Sequence, residues 1–502
     1  MSQEVGIPHS IPSSWTWTTI GDLASEVEKI NPNDDPEREF IYLDIASIEN
    51  RTNEITSPKR CLGKAAPSRA RQLVRSGDIL FSTVRTYLKN IAMVNEIYDG
   101  QLASTGFCVI RPLDPISRKL VLYYVQGNSF LNPLTLIQRG TSYPAVRDSD
   151  VFAQPIPIPP LNEQHRIVAK VEELFTKLDA GVKSLETVKA QLKRCRQSVL
   201  KSAFAGKLTE EWRRTHPDEL EAASMLLERI KEEQRKTAAK KYESPPLDTT
   251  NLSELPKGWA WTRVGEVAIR IQYGSSEKAT EDPSGVPVLR MGNIQEGNLI
   301  FEDLKYSSKD YPQLNDFMLD PGDVLFNRTN SAELVGKTAV YEHWHPKVAF
   351  ASYLIRVKVN DRIYDPQILA FFINSYYGRR YIASVVSQQV GQANVNGTKL
   401  SAMPIPLTSL SEQKAIAEEI KRCFSIAEEV EKTVVNGLRQ AEKLRQSILK
   451  RAFEGKLVSQ DPGDEPANLL LERIKLFKAH LNQDRKMERP TKRRDSKQRR
   501  LM

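Results

Sequence analysis

The sequence predicts a mixed α/β protein in which two globular domains are separated by an antiparallel coiled coil of two long helices. Two observations lead to this prediction. Nearly the whole chain is written twice, with a period of about 245 to 249 residues. In each copy a segment of mixed composition precedes a long segment whose apolar residues alternate three and four apart. The predicted fold therefore has a pseudo-two-fold internal repeat.

The repeat begins near the N-terminus. SSWTWTTIGDLA reappears as KGWAWTRVGEVA, which pairs Trp15 with Trp259. SGDILFS returns as PGDVLFN, PIPIPPLNEQ returns as PIPLTSLSEQ, and RQSVLKSAFAGKL returns as RQSILKRAFEGKL. The stretches 22–75 and 86–154 match their counterparts poorly. The matching segments form a frame that the chain repeats, and the domains between them vary.

This layout divides the chain into five parts. We expect a first globular domain at 1–160, a central helical spacer at 161–245, a second globular domain at 246–409, a C-terminal helical spacer at 410–480 and a basic, disordered tail at 481–502. Short apolar runs supply the strands of both domains, for example 78–81, 106–110, 323–326 and 353–359.

Each spacer begins with an apolar seam that continues for five heptads, which favours a coiled coil over a generic surface helix. The predicted seam residues are Ile167, Val171, Leu174, Leu178, Leu185, Val188, Leu192 and Val199 in the first helix, and Ile416, Ile420, Val430, Val434, Leu444 and Ile448 in the second. A helix over 162–204 would be about 60 Å long. The alternative is two unrelated helices, each packed on its own domain.

An antiparallel register near full overlap pairs large seam residues with small ones, as a filled core requires. It places Gly181 opposite Val434, Leu178 opposite Gly437 and Leu174 opposite Ala441.

Composition narrows the class of protein. The formal charge is +9, but residues 481–502 carry +6 of it, so overall charge is weak evidence for nucleic acid. No apolar run approaches the roughly 20 residues that cross a bilayer, and the N-terminus has no signal pattern, so we expect a cytoplasmic protein. The four cysteines lie far apart, without metal or disulfide spacing: Cys61, Cys108, Cys195 and Cys423.

We expect no catalytic site and no metal in this chain. Neither Pro-Pro pair is followed by Tyr, as an adenine-methyltransferase motif would need. Ser331 stands where a phosphate loop before Gly336 needs its first glycine. His343 and His345 lie two residues apart with no neighbouring Cys, a pattern that more often marks surface or half-buried histidines than a metal site.

The order of these motifs resembles the specificity subunit of type I restriction–modification systems, over essentially the whole chain. The most specific part is the duplicated RQS-x-L-K-x-AF-x-GKL segment, each copy following an Asn-Glu-Gln or Ser-Glu-Gln helix start. The resemblance implies that both variable domains are target-recognition domains, each binding one half of an asymmetric, bipartite double-stranded DNA target.

The resemblance also implies the partners. The helices would set the spacing and dock two methyltransferase subunits, which modify adenine at N6 with S-adenosylmethionine. ATP-dependent restriction subunits with helicase and nuclease activity would complete the complex. S-adenosylmethionine, ATP and Mg would then lie on partner subunits, this chain would bind no cofactor and be non-catalytic, and no membrane would be involved.

Polar loops at repeat-equivalent places are the candidate DNA-binding sites, because base edges are recognised by Arg, Lys, Asn, Gln, Ser and Thr. The candidates are Ser82, Thr83, Arg85, Tyr87, Arg139, Thr141, Ser142 and Tyr143 in the first domain, and Asn327, Arg328, Asn330, Ser331, Gln388, Gln389, Gln392, Asn394 and Asn396 in the second. The alternative is ordinary polar loops whose Gly and Asn serve turn geometry.

Two other functions compete with DNA recognition. A coiled-coil scaffold could join protein partners without DNA. A self-sufficient restriction and methylation enzyme would need the catalytic motifs that we did not find.

Overall fold

The structure is a computed structural model that describes residues 10–237, 247–250, 252–343, 347–389 and 392–488. The chain divides into two units. The first unit comprises residues 1–185 and 436–502, and the second comprises 186–435. Each unit thus holds one of the predicted globular domains together with part of each long helix.

The N-terminal part of the chain is mainly short strands followed by one very long helix. Its strands are β1 Thr16–Thr19, β2 Ala24–Ser25, β3 Glu39–Leu43, β4 Ile48–Glu49, β5 Glu54–Ile55, β6 Lys59–Leu62, β7 Ala70–Leu73, β8 Ile79–Ser82, β9 Ile91–Met93, β10 Leu102–Ser104, β11 Phe107–Pro112 and β12 Pro155–Ile158. Its helices are α1 Ile20–Leu23, α2 Arg118–Val125, α3 Asn128–Leu136, α4 Asp148–Phe152 and α5 Leu161–Phe204.

Two four-stranded sheets form the centre of the first unit. Their strand orders are β6-β3-β10-β7 and β2-β11-β8-β9, and β3 with β10 is a parallel pair in an otherwise antiparallel arrangement. The strand β12 has proline at alternate positions, which cannot donate a backbone hydrogen bond, and it pairs only with β1. Helices α2 and α3 pack on the buried β8 and β11.

The rest of the chain repeats this plan. Its helices are α6 Glu210–Thr215, α7 Ala223–Thr237, α8 Val264–Val267, α9 Pro366–Asn374, α10 Tyr376–Val385, α11 Gly397–Ser401, α12 Leu410–Phe453 and α13 Ala467–Glu488. Its strands are β13 Ala260–Arg263, β14 Ala268–Tyr273, β15 Val286–Leu289, β16 Ile294–Gln295, β17 Asn298–Leu299, β18 Lys305–Ser307, β19 Asp323–Asn327, β20 Thr329–Asn330, β21 Thr338–Tyr341, β22 Ala349–Phe350, β23 Leu354–Val359, β24 Ser387–Gln389, β25 Gln392–Asn394 and β26 Pro404–Leu407.

The second unit has a corresponding set of sheets. The strand orders are β14-β23-β19-β21, β18-β15-β22 and β20-β25-β24, and β13 pairs with β26 as β1 pairs with β12. Mixed α/β domains with two 44-residue helices confirm the predicted fold class.

In both units, parts of α5 and α12 pack together with their chains antiparallel. In the first unit Arg445 lies over the Phe175 ring, 4.2 Å from its centroid, and also bonds Asp179. In the second unit Arg196 forms a 3.0 Å ion pair with Glu431.

The predicted register of the two helices is wrong by one heptad. A Cβ placed on Gly437 would lie 3.0 Å from Leu185 Cδ1, so Leu185, seven residues beyond Leu178, is the facing side chain. A Cβ on Gly181 would meet no heavy atom within 4 Å in the described part of the chain. Matching large residues with small ones did not select the register, because charged residues also occupy the contact and need partners.

Two predicted seam residues are also wrong. Val430 is 39% exposed and Leu444 is 52% exposed. Half-buried Glu431 and Arg445, one residue further along, take these places in the contact with α5. The prediction assumed a strict heptad of apolar residues. At these two points α12 instead places a charged residue against α5.

The helices that follow the long ones, α7 and α13, pack on the globular cores. In α7, Ala223, Leu226 and Ile230 join the core of the second unit, and α13 contributes its apolar face to the core of the first. Since α13 continues to Glu488, the prediction of a disordered tail from residue 481 is wrong for 481–488. Residues 489–502 lie outside the described residues. No helix in the described ranges is long and apolar enough to cross a membrane.

A Trp–Glu contact ties the start of the first domain to the long helix. The Trp15 indole donates to the Glu163 carboxylate at 3.0 Å, and the Gln460 amide donates to it at 2.6 Å. Burial raises the pKa of Glu163, although these hydrogen bonds and Arg166 oppose the shift.

The second unit repeats this contact with an added cation. Trp259 donates to Glu412 at 2.8 Å, and Thr408 and Thr209 donate to it at 2.6 and 2.8 Å. Arg213 forms a 2.6 Å ion pair with the same carboxylate.

Candidate nucleic-acid interface

The two predicted loops of the first domain lie side by side. The Arg85 amide donates to the Pro144 carbonyl at 2.7 Å, and the Val146 amide donates to the Thr83 carbonyl at 2.9 Å. Val84 and Ala145 form a β-bridge between the two loops. Residues that are some 60 positions apart in the sequence therefore form one continuous surface.

Several candidate side chains of this surface are accessible. Tyr87 and Tyr143 are exposed, as are Thr141 and Ser142. The Arg85 guanidinium lies 5.0 Å from the Tyr143 ring centroid and donates to the Ser142 carbonyl at 3.1 Å.

The backbone of Arg85 is strained, because its φ of +49° is uncommon for a residue other than glycine. Such strain persists where the surrounding structure imposes it, often at functional sites.

Arg139 is exposed but already paired. Its side chain forms a 2.7 Å ion pair with Asp150, and this hydrogen bond raises the pKa of Arg139. The positive charge at this position is therefore partly compensated within the chain.

The two loops of the second domain also converge. The strand β20 pairs with β25 in the register Thr329↔Asn394, and the Asn394 amide donates to the Thr329 hydroxyl at 2.7 Å. The Val395 amide donates to the Arg328 carbonyl at 2.9 Å. The structure thus brings both predicted segments of this domain together, as in the first domain.

The polar side chains of this second surface differ in availability. Ser331, Gln392 and Asn396 are exposed, and Asn330 is half-buried. The Asn396 side chain caps α11 by accepting the Lys399 amide at 2.8 Å. The side chains of Gln388 and Gln389 lie outside the described residues.

Three candidates are buried, which corrects their prediction as accessible loop residues. Ser82 and Thr83 are buried in the first domain, and Asn327 is fully buried in the second. The strands β8 and β19 run one residue past the GDILF and GDVLF motifs, so Ser82 and Asn327 lie inside the fold. The Thr83 hydroxyl donates to the Gly106 carbonyl at 2.9 Å and is buried there. Neither amide atom of Asn327 has a hydrogen-bond partner within the described residues.

Sequence reasoning missed two tyrosines beside the second surface. Tyr273 ends β14, its ring lies 4.7 Å from the Arg328 guanidinium, and its hydroxyl accepts the Gly397 amide at 2.7 Å. Tyr353 is exposed, and its carbonyl accepts the Arg328 amide at 3.0 Å. Tyr273 ends a strand and Tyr353 lies in the short turn before β23, outside the polar stretches that were selected.

The repeated Gly-Asp motif before each loop is structural. Gly77 and Gly322 have φ of +85° and +91°, which favours glycine at both positions. The aspartate that follows each glycine forms a buried ion pair, Asp78 with Arg111 at 2.7 Å and Asp323 with Arg356 at 3.2 Å. The motif therefore supports the loop rather than binding a ligand.

Two domains on one frame, each with a pair of converging polar loops that differ in sequence, define a duplicated recognition protein. The chain belongs to the family of type I restriction modification DNA specificity domains, whose model matches residues 12–194 and 256–440. This confirms the resemblance stated from the repeated motifs. Membership assigns the chain DNA sequence recognition, as a specificity subunit of a type I restriction–modification system.

Known relatives agree with this assignment. The chain is 28% identical to the type I restriction enzyme EcoKI specificity subunit of Escherichia coli K12, over 74% of this chain and 75% of that protein. It is 26% identical to the StySPI specificity subunit of Salmonella potsdam, over 74% and 75%. The chain is also similar to a solved structure described as the structural basis of complex assembly and conformational transition of the type I R-M system. The two are 28% identical with a TM-score of 0.61, and the match covers 89% of this chain and all of the solved one.

Proposed function

We propose that each globular domain binds one half of an asymmetric, bipartite double-stranded DNA target, residues 1–160 forming one target-recognition domain and 246–409 the other. The observation that carries this proposal is the convergence of two polar loops at corresponding places in both units. The frame is shared, but the loop sequences differ, so the two halves of the target should differ as well.

The remaining candidates are proposed as DNA contacts. They are Arg85, Tyr87, Arg139, Thr141, Ser142 and Tyr143 in the first domain, and Arg328, Asn330, Ser331, Gln388, Gln389, Gln392, Asn394 and Asn396 in the second. Because Arg139 is held by Asp150, we expect its contribution to be smaller than that of Arg85.

We further propose that the helices set the gap between the half-sites and dock two N6-adenine methyltransferase subunits. Exposed apolar side chains on α12 support docking: Ile426 and Val430 in the second unit, and Leu444 in the first. S-adenosylmethionine, ATP and Mg would be held by the methyltransferase and restriction subunits. The complex would act in the cytoplasm, and this chain would contribute recognition and no bond chemistry.

The test is a methylome comparison. A host expresses the chain with the methyltransferase of its system, and a second host expresses the methyltransferase alone. We expect a new N6-methyladenine motif in two parts with a fixed gap. Exchanging residues 1–160 for the same domain of a relative should change only one part. A complex that forms without any new motif would instead support a protein scaffold.

A further inference from the structure

The Arg328 side chain is held in place before any ligand binds. Its guanidinium lies 4.7 Å from the centroid of the Tyr273 ring, and its Nη1 donates to the Ser352 carbonyl at 3.4 Å. Its backbone is fixed on both sides, because its amide donates to Tyr353 and its carbonyl accepts the amide of Val395. The side chain is therefore oriented by contacts on one face and at one nitrogen.

Tyr273 is itself fixed and partly accessible. Its hydroxyl accepts the Gly397 amide at 2.7 Å, which locks the ring at the end of β14. The residue is 41% exposed. A fixed aromatic ring lets an arginine keep its planar fork in one orientation, so less side-chain freedom is lost when the fork binds.

The first domain has the same arrangement built from other positions. Arg85 lies 5.0 Å from the Tyr143 ring centroid, and its Nη2 donates to the Ser142 carbonyl at 3.1 Å. In the repeat, however, Arg328 corresponds to Thr83 and not to Arg85. An arginine stacked on a tyrosine is therefore present in both domains without being inherited from equivalent residues, which points to a shared task.

The shape of the group identifies its ligand. A planar fork held in one orientation matches the O6 and N7 acceptors of guanine in the major groove, and this is the commonest specific protein–DNA contact. The same fork can bind a phosphate through two hydrogen bonds, but a phosphate contact carries no sequence information. Loss of a base contact therefore relaxes one position of the target, whereas loss of a phosphate contact weakens binding to all sequences about equally.

We propose that Arg328, positioned by Tyr273, recognises a guanine in the half-site of the second domain, and that Arg85 on Tyr143 does the same in the other half-site. This inference rests on the proposed function and adds the identity of one base in each half-site. Each half of the target contains a guanine whose recognition depends on one stacked arginine. Tyr273 is a positioning residue that acts through Arg328.

The test uses the complex with its methyltransferase and the frequency of methylation at every variant of the target. Arg328→Ala should relax one guanine of one half-site, with roughly tenfold to hundredfold less discrimination against other bases there. Arg328→Lys should relax the same position, because the charge remains and the fork is lost. Arg85→Ala should relax a guanine of the other half only.

The tyrosine variants separate positioning from folding. Tyr273→Phe keeps the ring under the arginine but loses the bond that locks it, so we expect discrimination between that of the unaltered chain and that of Tyr273→Ala. Tyr273→Ala should relax the same guanine as Arg328→Ala. Arg362→Ala is the matched control, an exposed arginine just past the far end of β23 from Tyr353, and it should leave the motif unchanged.

Three results would overturn the inference. They are an unchanged motif in Arg328→Ala, relaxation at a base other than guanine, and a uniform fall in methylation at every variant of the target, which would indicate a phosphate contact. If Tyr273→Phe is as defective as Tyr273→Ala, the tyrosine supports the loop through Gly397 and does not position the arginine. Absence of any two-part motif with the unaltered chain would instead reject the proposed function.

Discussion

The two units share a frame but present different surfaces. In the first, three large apolar or aromatic side chains are exposed in or near the loops: Leu136, Tyr87 and Tyr143, of which Leu136 is 87% exposed. In the second, the corresponding region is the hairpin β24–β25, rich in Gln and Asn. Within one chain, therefore, the parts that hold the loops are repeated, and the exposed loops proposed to contact DNA are not.

The two units also differ in which parts of the chain are joined by one repeated backbone hydrogen bond. In the second, the Ala223 amide donates to the Gly258 carbonyl at 3.1 Å within one continuous stretch. In the first, the equivalent bond of 3.0 Å joins Ala467 to Ser14, which lie at opposite ends of the sequence. In the first unit the N-terminal and C-terminal segments of the chain therefore make the contact that one continuous segment makes in the second unit.

The largest expected effect tests the buried ion pairs of the frame. Asp78 uses both oxygens, accepting Arg111 at 2.8 and 2.7 Å and the Arg75 amide, whereas one oxygen of Asp323 has no partner among the described residues. Asp78→Asn should cost about 3 kcal/mol, because it breaks a buried pair. Asp323→Asn also breaks a buried pair but should cost less, about 2 kcal/mol, because the Arg356 guanidinium still donates to the Met318 and Asp316 carbonyls and burial already raises the pKa of the Asp323 carboxyl.

Hydrogen exchange of amides in β8 and β19 reports on each unit separately. An equal loss of protection in the two strands would show that the unpartnered oxygen has no energetic consequence.

The Trp–Glu contacts give a second, smaller difference. Glu412→Gln leaves Arg213 with a neutral partner, and we expect a loss of about 2 kcal/mol in the second unit. Among the described residues no arginine forms an ion pair with Glu163, so Glu163→Gln should cost less than about 1 kcal/mol. Hydrogen exchange of the amides in β13 and β1, measured at increasing urea concentration, compares the two losses. A larger loss for Glu163→Gln would contradict the role given to Arg213.

The pH dependence sharpens the same comparison. Because burial raises the pKa of Glu163, the folded chain keeps this proton at pH values where the unfolded chain has released it. The stability from this group is fully present below its unfolded pKa and is lost as pH rises through the folded pKa. The free energy of unfolding of the unaltered chain, relative to Glu163→Gln, should therefore fall as the pH rises from the ordinary glutamate pKa of about 4.3 through the raised pKa of the folded chain. A difference that stays flat or rises over this range would be inconsistent with a buried, costly carboxylate.

The smallest effect concerns the glycines of the long helices. Gly181→Ala should stabilise the first unit by about 1 kcal/mol, because alanine favours helix and the new Cβ meets no neighbour within 4 Å in the described residues. Gly437→Ala places its Cβ 3.0 Å from Leu185, so we expect most of that gain to be lost. Thermal unfolding of the two variants measures this. Equal gains would show that Leu185 moves aside without cost.

The sequence located most of the loops that form the proposed recognition surface, but it did not identify which of their side chains are accessible. The loops around Arg85 and Arg328 were found because they follow repeated strands, and the loops around Tyr143 and Asn394 because they are polar, lie at equivalent places in the repeat and differ in sequence. Asn327 was misplaced because strand length depends on pairing with β23 and β21, which no local pattern reveals. Tyr273 was missed because its partner lies 55 positions away in the chain.

The sequence by itself determined the duplication, the mixed α/β class, the two 44-residue helices and the family, since all of these are written in periodicity and in repeated motifs. Only the tertiary structure decided the helix register, the exposure of Val430 and Leu444, and the stacking of each arginine on a tyrosine. The physical reason is that periodicity states which face of an element is apolar. Which residue meets that face depends on charge pairing and close packing between segments that are distant in the chain.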